Sequence, residues 1–414
     1  MKRNHLLSLI ITALLVFGLS GVAQAQIKIS ESEDTKLFIT IATVGTYQAL
    51  DQRNVYDPKG VRQPDLTSGM QTAFGDLGFV GKFGKKEEVE MYFDLYLASR
   101  NHPSQTYGNQ GYLILHGVPE NLVALNHFLS PVLSRVDVKA GAFLLDFGDH
   151  LYHRSNNAIT QLNPLVGNFV VDPELVSIGG EVITKPGRFN ALVGVSNGTN
   201  TEDFSQGRGI AYNAKVWAYP IQPLRASVSF FTANHSRSAS SRAALFAGNR
   251  GGERYGGVLG GGQAPGQILP NAGKDITATQ LDLTWDDAAI PLKLYGNYGM
   301  TKDKDINGPV AGAPGENWKY YAADAVYKLN RSVYAAARYS AGDTDKFNGK
   351  ASNGKVRRIQ IGGGLWMTRN ALVKVEWVDQ KYSGFGIGDI VNNGIDAGRG
   401  PSFKGLVSEF SFAF

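Results

Sequence analysis

The stretch Glu88–Ser99, EVEMYFDLYLAS, sorts its residues by parity. Val89, Met91, Phe93, Leu95 and Leu97 fall on one face, and Glu90, Tyr92, Asp94 and Tyr96 on the other. Side chains alternate across an extended strand, so this pattern gives a strand with one greasy and one polar face. The same period of two recurs along the chain. It places Leu37, Ile39 and Ile41 together, sets Val136, Val138, Ala140, Ala142 and Leu144 opposite Asp137 and Lys139, and sets Val373, Val375 and Trp377 opposite Lys374 and Glu376.

Sixteen such segments are predicted: 36–48, 70–83, 88–99, 109–117, 135–146, 175–185, 189–197, 208–219, 224–234, 275–286, 291–301, 317–329, 332–341, 355–368, 371–383 and 403–414. Their connections separate by parity. After even-numbered strands they are mostly tight, as at Pro186-Gly187-Arg188, Ile221-Gln222-Pro223, Asn330-Arg331 and Arg369-Asn370. After odd-numbered strands they are long, including 49–69, 147–174, 235–274 and 384–402. Short and long connections on alternate hairpins fit an outer-membrane barrel with periplasmic turns and extracellular loops. The expected fold is therefore all-β, a closed transmembrane antiparallel β-barrel of 16 strands, because a lipid-exposed sheet with open edges would leave backbone groups unpaired. Residues 118–134 break the parity rule; Leu122, Leu125 and Leu129 stand at helical spacing and predict a short helix ending near Pro131.

Composition agrees. The chain has 414 residues, 50 of them glycine and none cysteine, which excludes disulfide scaffolds, thiolate metal sites and cysteine nucleophiles. The one long apolar run, Leu6–Leu19, follows Lys2 and Arg3 and precedes Ala23-Gln24-Ala25. That is the form of a secretory signal peptide over residues 1–25, and its apolar run of 14 residues is short for a spanning helix, which needs about 20. Residues 26–414 form the barrel in this reading, with 39 basic against 36 acidic residues. So small an excess points to no nucleic-acid partner. Trp217, Trp285, Trp318 and Trp366 lie near strand ends, where an interfacial belt would place them. The chain ends Phe410-Ser411-Phe412-Ala413-Phe414, the aromatic close that barrel-assembly machinery reads, with Phe414 as the terminal aromatic. Gly251–Gly266 is low-complexity and is assigned to an exposed surface segment of a single long loop.

Three further pieces carry a resemblance: Val138-Lys139-Ala140-Gly141-Ala142-Phe143, then Val193-Gly194-Val195-Ser196-Asn197-Gly198, then Ile359-Gln360-Ile361-Gly362 through Trp366 with Asn370-Ala371-Leu372-Val373-Lys374-Val375. With the strand count, the sequence resembles sixteen-stranded Gram-negative porins, most closely the phosphate-selective porin O/P-like family. The resemblance implies an outer-membrane diffusion channel for small hydrophilic solutes and ions, a homotrimer surrounded by outer-membrane lipid and lipopolysaccharide, with its third loop folded into the lumen. It implies no cofactor and no enzymatic activity. Phosphate-selective members line their pores with arginines and lysines, and here the sequence departs. Taking the apolar face as lipid-facing leaves Lys139, Lys215, Arg225, Lys293, Arg338, Arg358 and Lys374 inward, against Glu90, Asp94, Asp137, Glu181, Asp282, Asp324, Glu376 and Glu409. An anion-selecting constriction needs a ring of one sign, and this set is near balance. A sugar- or phosphate-specific channel is the alternative.

The richest polar cluster is Asp146, Asp149, His150, His153, Arg154, Ser155, Asn156 and Asn157. His150, His153 and Asp149 offer metal-ligand types, but no regular element fixes their spacing, and no metal is expected. His153-Arg154-Ser155-Asn156 is similar to the H-x-S-N order of outer-membrane phospholipases, which use a serine activated by histidine; here it stands in a loop. We read the cluster as bracing the infolded loop and shaping a pore constriction. Loop 147–174 also carries Leu151, Tyr152, Ile159, Leu162, Leu165, Val166, Phe169, Val170 and Val171, too many apolar groups for solvent. Packed on the inner wall, its polar members are expected to pair with lumenal charges, Arg154 with wall carboxylates in particular.

Overall fold

The computed structural model describes residues 26–70, 74–98, 107–119, 122–198, 210–234, 244–247, 254–260, 266–270, 276–303, 315–391 and 394–414. The predicted signal peptide lies outside the described residues. Sixteen long strands form the wall: β1 (Thr35–Arg53), β2 (Phe74–Phe83), β3 (Val89–Ala98), β4 (Tyr107–Leu115), β5 (Val136–Leu144), β6 (Val176–Thr184), β7 (Phe189–Ser196) and β8 (Ile210–Ile221). The second half is β9 (Leu224–Asn234), β10 (Ile276–Asp286), β11 (Leu292–Asp303), β12 (Asn317–Lys328), β13 (Val333–Phe347), β14 (Lys355–Trp366), β15 (Ala371–Ser383) and β16 (Ser402–Ala413). Each pairs antiparallel with the next, and β1 closes the ring by pairing with β2 (Ile39↔Phe79) and with β16 (Ala42↔Ala413, Gln52↔Phe403). The expected sixteen-stranded barrel is the fold observed.

The register puts every quoted apolar face outside. On β14, Ile359 and Ile361 are 46% and 54% exposed, while Arg358 and Gln360 between them are at most 1% exposed. A sheet facing hydrocarbon outside and polar groups inside requires this alternation. The tryptophan belt is half corrected: Trp217 and Trp318 are buried, and the Trp318 indole N–H donates to Glu316 at 2.8 Å. Both occupy the inward parity of their strands, which turns their rings away from the interface. Where β4 and β5 run close together, Gly141 has φ +134°, and a Cβ there would meet the Gly111 carbonyl oxygen at 2.4 Å, so the wall admits only glycine.

Three smaller features complete the ends. A short strand, Ile27–Glu31, pairs with the start of β1 (Ile27↔Ile39, Glu31↔Lys36). Helix α1 (Val123–Leu133) follows β4 and is docked through buried Leu133. It continues two residues past the expected end at Pro131: the ring removes one donor, but Ser134 N–H still reaches Ser130 O at 3.0 Å. Short turns follow β2, β6, β8, β10, β12 and β14.

Candidate functional site

Two segments fill the lumen. The first is residues 145–175, between β5 and β6. Leu165, Val166, Phe169, Val170 and Val171 are all buried, which is what their apolar content demands once water is excluded. The loop is then held by inward charges of β12–β16, which cap its backbone. The Lys374 ammonium donates to the carbonyls of Thr160, Asn163 and Leu165 at 2.8–3.1 Å and pairs with Glu409 at 2.6 Å. The Arg338 guanidinium pairs with Asp324 at 2.7 Å, donates to the His153 and Gly167 carbonyls, and lies 3.9 Å from the Phe169 ring centre. The Glu376 carboxylate accepts from the Val166 and Gly167 amides at 2.7 and 3.0 Å. A carbonyl or amide buried without such a partner would cost about 1–3 kcal/mol, so these residues decide where the chain can turn.

The polar cluster of this loop spreads over three walls. Asp146 pairs with Lys215 at 2.6 Å, and Asp149 with Lys215 at 2.9 Å and Arg225 at 2.8 Å. Burial alone would raise the Asp149 carboxyl, but the two cations hold it below the ordinary carboxylate range. The Asn156 amide oxygen accepts from Tyr96 at 2.8 Å. Asn157 donates to Asp76 at 3.1 Å, an inward carboxylate that also takes the Ala158 amide at 2.6 Å. His150 Nε2 faces the Pro173 carbonyl at 2.7 Å, so it must be the protonated nitrogen, leaving Nδ1 to accept from Gln280 at 3.0 Å. Burial pushes its pKa down to about 4. The His153 ring stacks on Tyr295 at 4.2 Å, and burial, then Lys293 and Arg338, depress its pKa strongly.

Arg154 departs from expectation. Its partners are Asp172 at 2.9 Å and Glu174 at 2.7 Å, carboxylates of the same loop, not of the wall. They lie 18 and 20 residues further along the same connection, so the loop neutralises its own charge internally. The Ser155 hydroxyl accepts from Asn163 at 3.2 Å, while the His153 ring stacks on Tyr295, and among the described residues no hydrogen bond joins serine and imidazole.

The wall charges fall into groups. Asp282 accepts from Gln280 and Tyr295, both at 2.7 Å. Asp94 takes the Gln110 amide at 2.6 Å and Asn109 at 3.2 Å. Lys139 lies 3.9 Å from Glu181 and 4.2–4.4 Å from the Tyr112 and Phe143 ring centres. Glu90, 3.9 Å from His116, and Lys293, 3.4 Å from Asp286, stand apart at the end of the short turns.

The second segment overturns the assignment of the glycine-rich stretch to an exposed surface. Residues 254–260 and 266–269 run inside the barrel, with Arg254, Tyr255, Val258, Leu259, Gln267, Ile268 and Leu269 buried. Arg254 pairs with Glu409 at 2.8 Å and donates to the Asn157 carbonyl at 2.6 Å. The Tyr255 hydroxyl donates to Glu376 at 2.5 Å. Gln48 donates to the Gly256 carbonyl at 2.6 Å, and Gln52 accepts from the Leu259 amide at 2.9 Å. Ile268 N–H reaches Val170 O at 2.7 Å, forming a parallel bridge between the two infolded segments. Leaving β9 and re-entering at β10, this strap therefore touches β1, β15 and β16 across the lumen. Sequence reading also passed over the neutral inward groups Gln280, Gln360 and Gln380; their parity on β10, β14 and β15 carries that signal.

No family model matches the chain, and no curated protein sequence matches it. Solved structures do. An anion-selective porin from Comamonas acidovorans superposes with a TM-score of 0.58 at 13% identity, over 92% of this chain and all of that one. The outer membrane channel DcaP of Acinetobacter baumannii gives 0.55 at 11% identity, over 93% of this chain and 99% of that one. OmpF of Salmonella typhi, in complex with daunomycin, gives 0.53 at 11% identity, over 94% and 100%. At these identities the likeness is one of fold, and the fold is that of the sixteen-stranded porins.

Proposed function

We propose that the protein is an outer-membrane channel for passive diffusion of small hydrophilic solutes and ions. The carrying observation is a closed wall with apolar residues outside and a charged, hydrogen-bonding interior. Eight strands would close on their own side chains; sixteen leave room for a lumen. Residues Asp146, Asp149, His150, His153, Arg154, Asn156 and Asn157 shape the constriction by fixing the first loop, and the wall charges on β5–β15 border the route. The near balance of inward charge supports general diffusion over the phosphate-selective reading of the O/P-like resemblance. The short-turn end faces the periplasm, and outward Ala323, Ala325, Ala335 and Ala337 give neighbouring copies of a homotrimer a smooth wall to pack.

Planar-bilayer recording of the purified, detergent-folded protein tests this. Stepwise single-channel currents carried by potassium chloride are expected. A heat-modifiable, correctly folded barrel that never conducts would overturn the channel reading. Crosslinking that gives only monomer would overturn the trimer.

A further inference from the structure

Buried cations inside the barrel are paired with carboxylates almost throughout. Arg154, Lys215, Arg225, Arg254, Arg338 and Lys374 each lie within 2.9 Å of one. Lys139 stands farther off, 3.9 Å from Glu181, and Arg358 is the one buried cation among the described residues with no ion pair. It is 1% exposed, and its three partners are neutral: the Gln380 amide oxygen at 2.6 Å, the Asn168 carbonyl at 2.7 Å and the Gly266 carbonyl. Charges buried in proteins are ordinarily matched by an opposite charge. Here a backbone carbonyl of the glycine-rich strap occupies the place of one.

That carbonyl sits in a built cradle. The Arg358 guanidinium and the Gln380 side-chain amide, the latter at 2.8 Å, both donate to the Gly266 oxygen. Gln380 is oriented by the Tyr382 hydroxyl at 3.0 Å. Aromatic rings flank the guanidinium, Tyr255 at 5.1 Å and Phe403 at 6.0 Å from their centres. The strap fits only as glycine: residue 266 has φ +70°, and a Cβ there would stand 2.9 Å from Phe403 Cε1 and 3.0 Å from Arg358 Nη2.

We infer that Arg358 and Gln380 form a carboxylate subsite in the lumen, which the Gly266 carbonyl fills until a solute carboxylate displaces the strap. Arg358 Nη2 and the Gln380 side-chain amide, the two donors that the Gly266 oxygen now takes, match the two oxygens of a carboxylate. The ring of Phe403, against which Gly266 now lies, offers the displaced volume an apolar face. The solute class is a small carboxylate with a planar apolar body. The inference rests on the channel reading, since solute must enter the lumen, but its test does not depend on conductance.

The test is calorimetric titration of benzoate into the full-length, detergent-folded protein, with folding checked by heat-modifiable mobility. Gly266→Val unseats the strap and should bind benzoate about tenfold or more tightly than wild type, whose own carbonyl competes. Adding Arg358→Gln to that variant should weaken binding about tenfold or more, through the lost charge-assisted bonds. Gly266→Ala carries the same comparison if the larger side chain blocks refolding. Equal affinity with and without Arg358, or no tightening in either residue 266 variant, would overturn the subsite. Inorganic phosphate binding as tightly as benzoate, with the same dependence on Arg358, would overturn the carboxylate assignment. Arg358-dependent binding by a barrel that never conducts leaves the subsite standing and removes the channel reading. Conductance without Arg358-dependent binding does the reverse.

Discussion

The loop of residues 145–175 and the strap of residues 254–260 and 266–269 fill one lumen by different means. The loop brings its own core and its own ion pairs, with Phe169, Val170 and Val171 buried beside Arg154–Asp172. The strap brings peptide groups in addition to its buried side chains: Gly256 and Gly266 present carbonyls to Gln48, Arg358 and Gln380, and Leu259 and Ile268 present amides. An apolar loop packs wherever a dry surface exists. A glycine-rich one packs only where the wall supplies a donor or acceptor for each peptide group it brings inside. The loop is thus anchored by many redundant contacts, whereas the strap depends on a few side chains standing at the right height.

Deleting residues 150–166 should produce the largest change, a several-fold rise in single-channel conductance, because it removes buried Leu165 and Val166 together with the carbonyls that Lys374 caps. Replacing residues 254–269 by a short glycine–serine linker should raise conductance by less, since the loop stays seated; a rise equal to that of the first deletion would show the strap to be the true closure. Glu376 ties both segments, accepting from Val166, Gly167 and Tyr255. Glu376→Gln should therefore loosen both, at about 1.5–3 kcal/mol for the charge-assisted bonds, seen as frequent brief openings and faster proteolysis of loop and strap together.

Acidity should act on the loop alone. His150 is neutral in the fold, with its pKa pushed down to about 4 by burial, against an ordinary value of 6.5. A depressed pKa means that the seated loop binds fewer protons than the released one, so its stability is full above pH about 6.5 and falls as the pH drops towards 4. Openings recorded across that window should increase on acidification, and His150→Gln should lessen the trend, with buried His153 supplying the rest; an unchanged slope would assign it to other groups. The smallest effect is expected from Tyr255→Phe, which removes the hydroxyl's bonds to Glu376 and from Gln360 but leaves Gln360 still bonded to Glu376, and should alter the strap's protease resistance only slightly.

The wall was readable from residues such as those of β3 because lipid outside and polar contacts inside impose a period of two on every strand. The first loop was readable for a related reason: nine apolar residues in one connection need a dry surface. Arg154 was harder, since Asp172 and Glu174 are as near in the chain as any wall carboxylate is in space, and parity says nothing inside a loop. The strap escaped notice because glycine runs carry no side-chain pattern. Its apolar islands, Leu245-Phe246, Val258-Leu259 and Ile268-Leu269, were the available sign. Neutral inward glutamines were passed over because charge alone was counted, yet Gln280, Gln360 and Gln380 hold His150, Tyr255 and the strap in place.

The nineteen-residue β1 has two kinds of neighbour along one flank. From Ala42 onward it is met by β16, at the far end of the chain; from Ile39 back to Lys36 it is met by Ile27–Glu31, immediately upstream. The first pairing is among the most distant in the molecule, the second a local hairpin. Because long loop closures are slow and local ones fast, the hairpin can form while the remaining strands are still being laid down. It would hold the start of β1 extended for β16 to find last. Removal of residues 27–31 should therefore leave the finished barrel's heat resistance nearly unchanged while lengthening the time it takes to refold into detergent.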